Sequence, residues 1–339
     1  MTIRKSLFTA LGVFCAAMII CCSCSSPASA KVYKLKAGHV LAAESMAQAT
    51  LQHFAKLVKE RTKGDVIITI YPAGQLGNEK DLFEGLMIGS VDFVSAGVSA
   101  ATSWVPEYNM FDLPLIFDNE KHLFTWFKSK EGAQALKWFE KCGIIGLGWS
   151  SYGFFHIISN KRPFDDVAKI KGMQVRCLES SALMAPYKYA GANPVAMVFS
   201  DCYTSLQNGT VDAMMTPDTT CETSQFYKVV KYLTMLNICP TACPITMSKK
   251  TMDSLPPEYQ KIIRKAGAEA CTYANDVLYK EYGQHALKVI GDSGVKIIYP
   301  TPKQIQAWRD TVVNKTYAEF VPSIVPKTMI DSIEALRGK

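Results

Sequence analysis

Apolar positions along this chain change their period again and again. Tyr33 to Ala37 reads as a strand, and then Ala47, Leu51, Phe54 and Val58 recur at helical spacing, in a stripe closed by Gly64. The β-branched run from Val66 to Tyr71 predicts a second strand, ended by Pro72 and Gly74. A helix from about Lys80 to Ile88 and a strand from Val91 to Ser95 follow. Helical patterns between Glu120 and Lys141 lead into the apolar run Ile144 to Trp149. After Gly153 the alternation restarts with strands at Phe155 to Ile158 and Met173 to Cys177, and a helix through Tyr189. Pro194 to Val198, a helix to Gln207 and Val211 to Met215 complete this second series. Long helical patterns fill Pro257 to Ile290 and the stretch after Pro302. The pattern predicts an α/β chain with parallel-sheet character.

One short pattern occurs in each series. Leu86-Met-Ile-Gly89-Ser-Val91-Asp92 and Leu206-Gln-Asn-Gly209-Thr-Val211-Asp212 share L-x-x-G-x-V-D, 120 residues apart. Each reads as a helix end, a glycine cap and the start of a buried strand. Any helix-to-strand turn can look like this, but one copy in each half favours two similar lobes. Two α/β lobes leave a cleft at the carboxyl ends of their strands, where ligands bind.

Composition narrows the class. The 339 residues are 48% hydrophobic and 20% charged, a globular balance with room for two domains. The net charge is +7, and its basic residues are scattered, with no Arg/Lys stripe interleaved with aromatics; that argues against nucleic acid as a partner. Residues 1–30 read as an export signal. Arg4 and Lys5 precede an apolar run from Leu7 to Ile20, too short for a membrane span. Two exits are open: cleavage after Ala28-Ser29-Ala30, or lipidation at Cys21, Cys22 or Cys24, although no good lipobox precedes them. Either route places the mature protein outside the cytoplasmic membrane, free in the periplasm or lipid-anchored. Of eleven cysteines, seven lie beyond the signal, and an odd number leaves at least one thiol free. They read as buried small apolar residues, with one disulfide left open.

Catalytic and metal-binding motifs are missing. The five histidines are dispersed and no H-E-x-x-H occurs. Gly148-Trp-Ser150-Ser151-Tyr-Gly153 fails the spacing of a nucleophile elbow, and neither a P-loop nor G-x-G-x-x-G is present. Asp165-Asp166 beside Pro163 reads as solvated loop charge. The expectation is a binder without cofactor or metal, and not an enzyme.

The most informative residue closes the run Lys171-Gly-Met-Gln-Val-Arg176, which leads toward an apolar interior. A guanidinium keeps its charge, carries five donors in a fixed fork and is costly to bury alone. Either the protein supplies a carboxylate, Glu179 being at hand, or a ligand does.

Several stretches in order resemble the substrate-binding proteins of TRAP transporters, of the dicarboxylate- and sialic-acid-binding type. They are Tyr71-Pro-Ala-Gly-Gln75-Leu-Gly77-Asn-Glu79, Leu113-Pro-Leu-Ile-Phe117, the Arg176 run, Gly191-Ala-Asn-Pro-Val-Ala-Met197, Phe199-Ser-Asp-Cys-Tyr203, and Leu206-Gln-x-Gly-x-Val-Asp212. The resemblance implies a two-lobed periplasmic-binding-protein fold, each lobe a mostly parallel sheet flanked by helices, with a long helix spanning both. It divides the chain into one lobe of residues 31–153 plus about 242–281 and a second of 154–241 plus about 282–339. It implies capture of a small organic acid by hinge closure and delivery to TRAP membrane subunits. In the family the arginine at this position forms a two-pronged salt bridge with the ligand carboxylate, and Arg176 matches it.

Around Arg176 the sequence departs from the family pattern. Phe155 stands where the family often has a second arginine, and Thr216 where it commonly has asparagine. Gly97 and Ala100 fall where sialic-acid binders carry a glutamate and an arginine. Phe199 is kept, as a ring beside the ligand or as core; Met214 and Met215 replace polar residues. With one cation left among apolar neighbours, a second carboxylate would go unpaired, at about 1–3 kcal/mol per buried unsatisfied group. An apolar body gains roughly 25 cal/mol per Å² instead. The expected ligand is a monocarboxylate with a hydrophobic body: an aromatic acid, a branched-chain 2-oxo acid or a fatty acid. The rivals are a carrier of a hydrophobic or lipid-like ligand in a tunnel and a sensor module presenting its ligand to a receptor. Trp104, Trp149 and tyrosines near the cleft are the expected reporters of closure.

Overall fold

The computed structural model describes residues 31–338. The export signal expected at 1–30, and both of its exits, lie outside the described residues.

The first series builds β1 (Tyr33–Gly38), β2 (Val66–Tyr71), β3 (Phe93–Ser95) and β4 (Ile144–Gly148), and the chain then crosses on β5 (Ser151–Phe154). The second series builds β6 (His156–Ser159), β7 (Gln174–Cys177), β8 (Asn193–Ala196), β9 (Ala213–Thr216) and β10 (Tyr232–Thr234). A return on β11 (Pro240–Ala242) leads to β12 (Ile245–Ser248), and β13 (Lys296–Ile298) comes late. One sheet has the order β2-β1-β3-β12-β4 and the other β13-β10-β6-β9-β7-β8, while β11 and β5 pair between them. Both sheets are mixed. Strands joined through helices run parallel, as β1 does with β2 and β3 and β7 with β8 and β9. Strands next to the crossings run antiparallel, as β12 does with β3 and β4 and β6 with β9 and β10.

The helical stripe read from the sequence is the buried face of helix Met46–Arg61, where Ala47, Leu51, Phe54 and Val58 are fully covered. Phe54 meets Phe93 of β3 edge-on with ring centroids 5.1 Å apart. The repeated pattern does the same work in both lobes. Gly89 and Gly209 take φ of 79° and 78°, a left-handed cap that disfavours side chains. The aspartate three residues on then accepts an amide from the neighbouring strand: Lys36 N to Asp92 at 2.7 Å, and Gln174 N to Asp212 at 2.9 Å.

The long helix is present but not uniform. Pro257–Tyr273 packs on helix Met46–Arg61 and β4, and Tyr279–Asp292 packs on helix Asp218–Thr223. Between them Ala274–Leu278 forms a π-turn. Its Asn275 accepts from Ser151 N at 3.1 Å and donates to Trp149 O at 2.9 Å, gripping the chain where it leaves the first sheet. The C-terminal helix Lys327–Glu334 returns to helix Glu120–Phe127, with Trp126 Nε1 donating to Ser332 Oγ at 2.9 Å.

The disulfide left open by the sequence does not form. All seven cysteines beyond residue 30 are free, and all but Cys142 are buried among apolar side chains. No helix among the described residues is long and apolar enough to cross a membrane.

Candidate functional site

The carboxyl ends of the strands converge on one chamber. β1 delivers Val40 and Leu41, β3 ends in Ser95 and continues to Gly97 and Ser99, β7 carries Arg176 and continues to Leu178, and β9 ends in Thr216. The crossing strands add Tyr152 and Thr241, and Cys243 follows β11. Its volume is about 70 Å³. Arg176, Phe155, Phe199, Thr216, Gly97 and Met215, the residues singled out from the sequence, all line it, and so does Met214. Ala100 lies outside, in the wider cleft that opens beside Arg176.

Arg176 is the penultimate residue of β7, between β8 and β9, and is only 2% exposed. Its Nε and Nη2 both donate to Met197 O, at 3.0 and 2.8 Å. One edge of the fork is thereby fixed in direction. The ring of Phe199 lies 6.0 Å from the guanidinium carbon, within cation–π range. Among the described residues no carboxylate forms an ion pair or hydrogen bond with Arg176, so Glu179 does not serve as its internal partner; it lies in the outer cleft.

A carboxyl does share the chamber. Glu79 opens helix Glu79–Ile88, whose cap Asn78 accepts from Lys80 N and Asp81 N, while Asp81 accepts from Asn78 N at 2.9 Å. This reciprocal capping box anchors the helix start that brings Glu79 to the chamber. Burial raises the Glu79 pKa, and the nearby Arg176 charge offsets part of the rise. Glu79 was visible in the sequence only as the end of a motif. Its signal was an acidic residue directly after an N-capping asparagine, where the helix dipole favours an anion.

The side of the chamber toward the β5–β11 crossing is a ring of hydroxyls. Tyr152 OH is hydrogen-bonded to Ser95 Oγ. Thr241 Oγ1 accepts from Tyr152 N and donates to Gly153 O, each at 2.9 Å, and Thr219 Oγ1 donates to Tyr152 O at 2.7 Å. Gly153 sits at φ 123°, which permits the sharp path from β5 to Phe155. Sequence reading missed these hydroxyls, because serine and threonine in a strand carry no pattern of their own. Burial pushes the pKa of His156, beside Phe155, down to about 4. Among the described residues, Arg176 is the one basic side chain lining the chamber. Trp149 is not a cleft residue: it stacks on Phe127 with centroids 5.3 Å apart, and Trp104 packs on the same apolar cluster. Among the described residues, Tyr152 is the tyrosine that lines the chamber, from the crossing strands.

Comparison with known proteins places this geometry. Residues 37–322 match bacterial extracellular solute-binding protein, family 7. The chain is 29% identical over 321 residues to a C4-dicarboxylate-binding periplasmic protein of Rhodobacter capsulatus, covering 94% of this chain and 96% of that protein. It resembles the sugar acid-binding protein of Advenella mimigardefordensis in complex with galactonate, with a TM-score of 0.86, 27% identity, and coverage of 90% of this chain and 99% of the other. A TRAP periplasmic solute-binding protein of Bordetella bronchiseptica, with density assigned to pantoate, gives a TM-score of 0.85 at 25% identity over 90% of this chain and all of that one.

Proposed function

This chain belongs to bacterial extracellular solute-binding protein family 7, and on that premise we propose that it captures a short monocarboxylate with a compact, branched apolar body and delivers it to TRAP membrane subunits. The coarse part of that reading, a periplasmic-type binder of small organic acids and not an enzyme, follows from the family and its relatives. The finer part rests on one observation: Arg176 is buried, has no protein carboxylate, and faces a chamber walled mainly by Val40, Leu41, Phe155, Phe199, Met214 and Met215.

Guanidinium and carboxylate fit fork to fork, and the pair strengthens as water leaves. A second carboxylate beside Phe155 would find no second cation among the lining residues, only hydroxyls, most of which already donate within the protein. The apolar space beside Arg176 is small, about 70 Å³, and opens into the wider cleft, which favours a short body over a long acyl chain. A branched 2-oxo or 2-hydroxy acid suits it, and Glu79 favours the hydroxy form, whose O–H can donate to its carboxylate. Pantoate, assigned in the Bordetella relative, is an acid of this shape; the relatives that take C4-dicarboxylates and galactonate set the contrast. Ligand bound to Arg176 on one lobe and Glu79 on the other favours the closed arrangement, and the β5–β11 crossing is the hinge.

Calorimetry with pantoate, 2-hydroxyisovalerate, 2-oxoisovalerate, phenylpyruvate, succinate and galactonate tests the reading. The branched acids should bind most tightly, and Arg176→Ala should lower their affinity by about a hundredfold or more. Tighter binding of succinate or galactonate, or unchanged affinity in Arg176→Ala, overturns it.

A further inference from the structure

Asp112 ends the short helix Asn109–Asp112 and is 1% exposed. Two serine hydroxyls donate to its carboxylate from different directions: Ser99 Oγ to Oδ1 and Ser180 Oγ to Oδ2, each at 2.6 Å. Ser99 is part of the chamber wall on the side of the first sheet. Ser180 follows Arg176 by four residues and holds the N-cap position of helix Ser181–Tyr189. A serine there ordinarily accepts an amide of the first helical turn. Ser180 makes no such bond, and its hydroxyl is turned to Asp112 instead. Its backbone N donates to Leu178 O at 2.8 Å, so the turn after Arg176 is tight, and Leu178 lines the chamber.

We infer that Asp112 is a positioning residue for ligand capture: its two oxygens hold the Ser99 wall and the turn behind Arg176 in one fixed relation. The inference rests on the reading of Arg176 as the ligand's anchor. The surroundings give the carboxyl no other task. Asn109 Oδ1 lies 3.4 Å from Ser180 Oγ on the same helix, and the buried Cys239 thiol faces it from the segment before β11. Burial raises the Asp112 pKa to about 7, and the two serine donors pull against that rise. A buried carboxyl without a basic partner is costly to keep; a geometric requirement at the site accounts for it.

Hydrogen exchange on the whole unliganded chain tests this without knowledge of the ligand, so its failure is separate from a failure of Arg176 as anchor. Asp112→Ala should speed exchange about tenfold in peptides covering 96–103 and 177–184, leaving β1 and β2 unchanged. Asp112→Asn keeps one acceptor oxygen and gains an amide donor from which the other serine oxygen can accept, so it should retain most of the protection in both segments. Ser180→Ala, which leaves the buried carboxyl in place, should loosen 177–184 alone. Wild-type rates in both segments of Asp112→Ala, or acceleration spread evenly over the chain, overturn the assignment.

Discussion

Arg176 and Glu79 line one chamber from opposite lobes, and no hydrogen bond joins them. Each charge acts on the other through space, and Arg176 restrains the rise that burial imposes on Glu79. A ligand that offers a carboxylate to one and a hydroxyl to the other satisfies both. Glu79→Gln should therefore weaken binding of 2-hydroxyisovalerate by about tenfold while changing 2-oxoisovalerate little. Paired titrations in a calorimeter give the comparison, and equal losses for the two acids would remove the hydroxyl from the account.

Gly97 marks the open side of the chamber. A Cβ placed there meets only Cys243 Sγ, at 3.9 Å, and its φ of −64° suits any residue. Gly97→Val should fold with an unchanged melting temperature yet lose about tenfold or more in affinity for branched acids, because its methyls occupy ligand space. A melting temperature that falls together with affinity would indicate damage to the wall instead.

Phe155 is held at the start of the second lobe by Phe155 N donating to Cys239 O at 2.8 Å and by Ile238 N donating to Phe155 O at 2.9 Å. That backbone grip should survive a change of side chain. Phe155→Arg should raise succinate affinity by about tenfold, through one added charge-assisted contact. It should also cost about 2 kcal/mol of stability, because Phe155 is 8% exposed within an apolar cluster. Succinate titration and denaturant melts measure the two effects.

Asp112 binds its proton more tightly folded, at about 7, than at the ordinary aspartate value of 3.8. Its contribution to stability is complete below the lower value and is lost as pH rises through the upper one. His156, lowered to about 4, acts in the opposite sense between pH 4 and its ordinary 6.5, so the wild-type profile alone is flattened. The difference between Asp112→Asn and wild type isolates the carboxyl. It should shift in favour of the variant by about 3 kcal/mol between pH 4 and pH 8, read from urea melts at each pH.

Much of this was legible from the residues because it depends on local rules. The stripe of Ala47, Leu51, Phe54 and Val58, the glycine caps at 89 and 209, and the strand that ends at Arg176 follow from period and backbone freedom. The chamber's apolar wall was legible through Phe155 and Met215, whose chemistry stands out against a polar family pattern. Hidden from the sequence were contacts between residues far apart. Tyr152 with Ser95, Thr241 with Gly153, and Ser180 with Asp112 join positions 57, 88 and 68 residues apart, and no period announces such pairs. The antiparallel placement of β12 was hidden for the same reason, since it depends on where the chain returns.

The π-turn at Ala274–Leu278 makes the spanning helix two levers with a soft joint. The loosened turn falls at Asn275, where the helix is tied to the backbone at Trp149 and Ser151. A rigid rod through both lobes would oppose any change in the angle between them. If the lobes close on ligand as proposed, compliance placed at this tether would let each arm of the helix follow its own lobe, turning about Asn275.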